Sequence, residues 1–158
     1  MSLRTRGVVV CGCLLLTGCS GPVEIDTPAL TADDEAACEG FVDDLPDTLN
    51  DEEPVETDPE DPLGAAYGDP AIVVVCGVDA PEEFNATSAC EEANGVGWFA
   101  PPEQYDDQSA DVTIFAVTHR PVVEMRLPAD YRPDGIAAAL AELAAPVKAN
   151  LEKVQDCV

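Results

Sequence analysis

Nucleophilic catalysis needs a nucleophile, a base and oxyanion donors within reach of one another. The chain has a single histidine, His119, and few serines: beyond the first residues these are Ser20, Ser88 and Ser109. None stands in a Gly-x-Ser-x-Gly elbow. His119 lies beside Arg120 in a predicted tight hairpin turn, where an exposed turn residue is a better reading than a general base. Paired carboxylates support glycosidase-like chemistry. With 32 acidic residues, however, neighbours such as Glu82–Glu83, Glu91–Glu92 and Asp106–Asp107 read as solvated surface. The stretch 51–61 is dense in oxygen ligands but lacks the calcium-loop pattern with its central glycine. Gly95-Val96-Gly97 lacks the third glycine and the following helix of a phosphate-binding turn. No catalytic set, metal site or cofactor is therefore expected. The aromatic residues Trp98 and Phe99, with Tyr105 close by and Tyr67 earlier, form the one group worth marking. A core plug under a sheet is their plainer reading. The sharper one is a contact surface for a protein partner or a glycan, where aromatics supply rigid apolar area.

Thiol chemistry is more telling. Arg4 and Arg6 make a short positive region, and Gly7 to Leu16 is apolar or small throughout. That run of about ten residues fits the apolar stretch of a signal peptide. It falls short of the roughly 20 residues a membrane-spanning helix needs. Leu16-Thr17-Gly18-Cys19 follows. It resembles the lipobox of bacterial lipoproteins, in which small residues let the signal peptidase close on the backbone and the cysteine thiol accepts the lipid. Residues 1–18 are read as a lipoprotein signal peptide and Cys19 as the lipidated new N-terminus. Acyl chains such as palmitate bind a bilayer with about 0.8 kcal/mol per buried CH₂. The address expected is the outer face of the cell membrane, with the lipid bilayer as a first partner.

The mature chain, about 140 residues, is one domain's worth. Its formal net charge of −25 deepens once Arg4 and Arg6 leave. Such a surface repels nucleic acid, which needs a basic footprint. The acids run along the whole chain, which favours a surface adapted to a saline habitat over a dedicated divalent-cation role. Cys11 and Cys13 leave with the leader; Cys38, Cys76, Cys90 and Cys157 remain. An even number outside the cytoplasm reads as two disulfides, with three connectivities open.

These groups need elements to position them. Residues 19–30 read as a lipid-anchored tether, reaching roughly 35–40 Å when extended. Residues 31–158 read as a single domain. Thr31 is a helix N-cap with Asp33, Asp34 and Glu35 in the first turn. Cys38, Phe41, Val42 and Leu45 share one face of that helix, and Pro46 ends it. Residues 46–64 read as an acidic, proline-rich solvated loop. Ala71 to Cys76 is a continuous apolar run that fits a central strand, and residues 96–99 a short one. Residues 111–118 and 121–127 predict an antiparallel hairpin turning at His119-Arg120. Pro133-Asp134-Gly135 opens a long helix to about Asp156, with Ile136, Leu140, Leu143, Val147, Leu151 and Val154 as its buried stripe. The expected architecture is α+β: a small antiparallel sheet of about four strands, with the N-terminal and the long C-terminal helix packed on one face.

Taken together, the lipobox, the PVEI segment at 22–25, the helix running into LPDTL, the AAYGDPAIVVVCGV segment at 65–78, the NGVGWF segment at 94–99 and RLPADYRP at 126–133 resemble an uncharacterised actinobacterial lipoprotein family, domain of unknown function 3515. The resemblance covers nearly all of the mature chain. It places Cys38 and Cys76 at the family's usual cysteine positions and so implies that they pair, which leaves Cys90 with Cys157. It implies no activity. The function expected is a non-catalytic envelope module that binds a protein partner or assists assembly. The alternative is an envelope hydrolase or cation-dependent enzyme that uses acidic residues.

Overall fold

The computed structural model describes residues 21–157 apart from Ala86 and Gly135. Residues 1–18, read above as a signal peptide, and Cys19, read as the lipidation site, lie outside the described residues. In chain order the elements are β1 (Val23–Glu24), α1 (Ala32–Asp43), β2 (Thr57–Asp58), β3 (Gly64–Tyr67), β4 (Ile72–Val78), β5 (Glu91–Ala93), β6 (Val96–Phe99), β7 (Val112–Ala116), β8 (His119–Arg120), β9 (Val122–Leu127), α2 (Ile136–Asn150) and β10 (Glu152–Lys153). The main sheet has six antiparallel strands in the order β3-β4-β9-β7-β6-β5.

α1 starts where the Thr31 hydroxyl accepts the Asp34 N–H at 3.2 Å. Three acids in the first turn face the positive end of the helix dipole. It stops at Asp43, because Pro46 disfavours helical backbone at Leu45. β4 is buried on both faces. Ile72, Val74 and Cys76 meet the helices, while Val73 and Val75 join Ile25 and Ala66 on the far face. A bulge falls between Cys76 and Val78, where Gly77 takes φ +92° and any Cβ would run into Leu30. Val112, Ile114, Val123, Met125 and Leu127 continue the helix-side face, and Leu140, Leu143 and Val147 of α2 close over it. On the far face the ion pair Arg126–Glu124, at 2.9 Å, parts that small cluster from another built on Phe99, Phe115, Val117 and Val122.

Two expectations about the fold are corrected. The sheet has six strands, not about four: β3 and β5 are added at its two edges, written in glycine, alanine and glutamate rather than β-branched residues. The C-terminal helix is shorter than expected, because it ends at Asn150. The Asn150 side chain donates to Pro146 O at 3.1 Å and to Asp44 Oδ2 at 2.8 Å. The chain then turns into β10, which pairs with β8, and Val154 N–H donates to Thr118 O at 2.9 Å. Val154 consequently lies exposed rather than in a helical stripe.

The segment read as a tether joins the fold early. Val23 N–H donates to Glu56 O at 2.8 Å, and Ile25 N–H to Asp58 O at 3.0 Å. Ile25 is buried against β4. The acidic stretch 46–64 is likewise anchored: β2 pairs with β1 in parallel, and Leu49 is fully buried.

Candidate functional site

The four cysteines pair as Cys38–Cys76 and Cys90–Cys157, each with Cα atoms 5.5 Å apart. The first bridge joins α1 to β4 inside the core. The second joins the chain just before β5 to the C-terminal tail and lies over Gly97. A Cβ at Gly97 would collide with Cys157 Sγ and with the Thr118 methyl, so this position accepts no side chain.

The marked aromatics separate. Tyr67 is a core residue remote from the rest: its hydroxyl donates to Pro46 O at 3.1 Å. Burial, reinforced by the charge of Asp47, pushes that phenol up from its ordinary value. Trp98, Phe99 and Tyr105 meet at an open groove of about 630 Å³ beside the start of β5, together with Ala100, Glu83 and Glu91. Trp98 and Phe99 are nearly enclosed, whereas Tyr105 is 40% exposed. Phe84 packs tilted on Phe99, with ring centroids 5.2 Å apart. Burial and the nearby Glu91 carboxylate raise the Tyr105 phenol, against a smaller pull from Arg132.

Arg132 was not singled out by sequence reasoning, yet it shapes this groove. Its guanidinium is buried and donates to the carbonyls of Asp107 at 2.8 Å, Ala110 at 2.7 Å and Gln104 at 2.9 Å. The Gln104 side chain in turn accepts the Thr113 N–H at 2.7 Å. These bonds fold residues 102–111 into the loop that carries Tyr105. The Arg-Pro pair near the chain's last helix was the available signal, but type and spacing alone do not show which carbonyls it gathers.

His119 is not an exposed turn residue. The hairpin turns at Val117-Thr118, and His119 belongs to β8 with 2% of its surface exposed. Its Nδ1 lies 3.0 Å from Thr118 Oγ1, which also accepts the Gly97 N–H at 2.8 Å. Burial, then the charges of Lys153 and Lys148, hold its pKa below the ordinary value. A buried neutral imidazole bonded to Thr118 is a packing element. The serines are tied into local turns: Ser88 Oγ accepts the Asn85 N–H at 3.0 Å, and Ser109 Oγ donates to Asp107 Oδ1 at 2.6 Å. The Ser109 hydroxyl and N–H, both donating to Asp107, hold its carboxyl below the usual range. Glu82, Glu83, Glu91, Glu92 and Asp106 are all exposed. Among the described residues, no three His, Cys, Asp or Glu side chains converge as metal ligands, and no helix is long and apolar enough to cross a membrane.

A disulfide-stapled α+β domain with an aromatic, acid-rimmed groove is the class that these features define. Residues 6–155 match the family described as Protein of unknown function (DUF3515), and the chain belongs to that family. No curated protein and no solved structure matches the chain.

Proposed function

We propose that this protein is an extracytoplasmic lipoprotein, held by acyl chains on Cys19 at the outer face of the cell membrane, and that it works by binding a protein partner rather than by catalysis. The observation that carries the reading is the pairing of all four cysteines beyond Cys19, a state that persists outside the reducing cytoplasm. The start of the fold supports it. Cys19 stands four positions before Val23, whose N–H is already bonded to Glu56. An extended link of that length spans about 14 Å, so the acidic body sits directly against the bilayer. The family match runs through the apolar segment and Cys19 as well as the domain. Binding is favoured over chemistry because the groove offers apolar area and charge, while the histidine is buried and the serines are bound in turns.

Intact-mass analysis of protein extracted from membranes tests the anchor. Loss of residues 1–18 and a diacylglyceryl adduct on Cys19 is the expected result. Cys19→Ala is expected to shift the protein out of the membrane fraction or leave it unprocessed. An unmodified Cys19 on a cytosolic chain would overturn the reading.

A further inference from the structure

We infer that the groove between the start of β5 and residues 98–105 is the docking site for an extended segment of a partner protein, in which apolar side chains are flanked by lysine or arginine. The inference rests on the binding role proposed above and names the chemistry of its ligand. Three observations carry it.

The first is shape and lining. The groove holds about 630 Å³, within the range of roughly 300–1,000 Å³ that takes compact ligands. Phe99 and Ala100 give it an apolar floor, and Tyr105 stands exposed at the rim. The loop bearing Tyr105 is set in advance by the three Arg132 bonds, so little ordering is left to the binding step.

The second is charge. Glu83 and Glu91 sit on the lips, and neither forms an ion pair among the described residues. The Tyr105 phenol feels the Glu91 charge, which places that carboxylate close to the aromatic rim. Lips of this kind favour a cationic flank on the incoming chain. They disfavour a second copy of this protein, whose net charge is −25.

The third is the sheet edge. β5 is the outermost strand and pairs only with β6 among the described strands. Its exposed Glu91 and Glu92 guard that edge against like-charged strands. A basic segment meets no such barrier. It can take main-chain hydrogen bonds along β5 while alternate side chains enter the groove.

The test uses the full chain extracted in neutral detergent and three synthetic probes: Lys-Val-Phe-Val-Lys, Glu-Val-Phe-Val-Glu and Lys-Ser-Ser-Ser-Lys, each with blocked termini. Trp98 is the only tryptophan and lies buried next to the groove wall, so its fluorescence gives a local signal, and calorimetric titration measures binding independently of it. The first probe is expected to bind saturably, with an affinity that falls as salt rises. Tyr105→Ala is expected to weaken it about tenfold. The exposed pair Glu83→Gln and Glu91→Gln, which leaves the fold intact, is expected to reduce the salt dependence. Equal binding of the all-serine probe, or of the acidic one, would overturn the inference, as would indifference to all of these substitutions. Failure of every probe on a chain whose Cys19 is acylated removes the docking site and leaves the anchor reading intact. Probe binding by a chain with an unmodified Cys19 separates the two the other way.

Discussion

Cys38–Cys76 and Cys90–Cys157 span the same Cα distance, 5.5 Å, in opposite surroundings. Both sulfurs of the first are fully buried between α1 and β4. Both half-cystines of the second are only half-buried, and Cys90 borders the groove. The first belongs to the main core, among apolar side chains of the sheet and the helices. The second fastens a tail that otherwise holds on by the short β8–β10 pairing and two further bonds, from Val154 N–H to Thr118 O and from Gln155 to Val117 O. One bridge reinforces packing; the other substitutes for it. A region held by few contacts and one covalent link is where a binding surface can adjust without unfolding the domain.

Loop length and burial make different claims about which bridge matters more. The sequence separations are 38 and 67 residues. On the chain-entropy model each is worth about 4 kcal/mol, and the longer loop adds only about 0.5 kcal/mol. Vacating fully buried volume adds about 1–2 kcal/mol at Cys38 and Cys76 alone, so burial decides the order. The double variant Cys38→Ala/Cys76→Ala is expected to lose more than Cys90→Ala/Cys157→Ala in urea denaturation. Equal midpoints, or the reverse order, would break the comparison. Mild reduction followed by alkylation and peptide mapping sharpens it: Cys90 and Cys157 are expected to label well before Cys38 and Cys76.

Arg132 is the next largest effect, and it acts on the groove side alone. Arg132→Ala leaves the carbonyls of Gln104, Asp107 and Ala110 without their donor. Hydrogen bonds to a charged group contribute about 1.5–3 kcal/mol each, and water entering the opened loop recovers part, so a net loss of about 3 kcal/mol is expected. Proteolysis should move to residues 102–111 while α1 and β4 stay protected. Arg132→Lys is expected to recover little, since an ammonium cannot fork across three carbonyls. Unchanged protection of that loop in Arg132→Ala would show that the groove wall stands without it.

The same division governs what the sequence let one read. The buried side announced itself: Thr31 before three acids, Cys38 and Phe41 at helical spacing, and the unbroken run into Cys76 locate α1 and β4 directly. The edge strands did not. Gly64–Tyr67 is mostly small residues and gains its strand character from pairing with β4. Glu91–Ala93 reads as solvated surface because two of its three side chains are in fact solvated. β1, β2, β8 and β10 are two residues each, too short for any periodicity to register. His119-Arg120 looked like a turn because the strand it pairs with, β10, lies more than thirty positions further on. Tyr67 and Tyr105 were equally aromatic on paper. Their separation, one in the deep core and one at the rim of a groove, is decided by the segment that carries each. Arg132 illustrates the same limit, since its three partners lie 22 to 28 positions away.

The smallest expected effect is a pH response confined to the groove side. His119 is buried in β8, beside β10, and feels the charges of Lys153 and Lys148, so its folded pKa lies below the unfolded value of about 6.5. Between those two values the unfolded chain binds the extra proton and the native chain does not. Stability from this residue is therefore complete above about pH 6.5 and declines as pH falls toward the folded pKa. Protonation would place a third positive charge among two lysines, and the weak β8–β10 pairing is the contact that can yield. Hydrogen exchange is expected to quicken at residues 117–123 and 151–157 between pH 7 and pH 5. α1 and β4, whose buried faces hold no histidine, are expected to change little by comparison. His119→Gln is expected to remove the local response. If both sides of the molecule loosened in parallel, the charge of the whole acidic surface would be the cause, and the division between a packed staple and a latching one would not extend to protons.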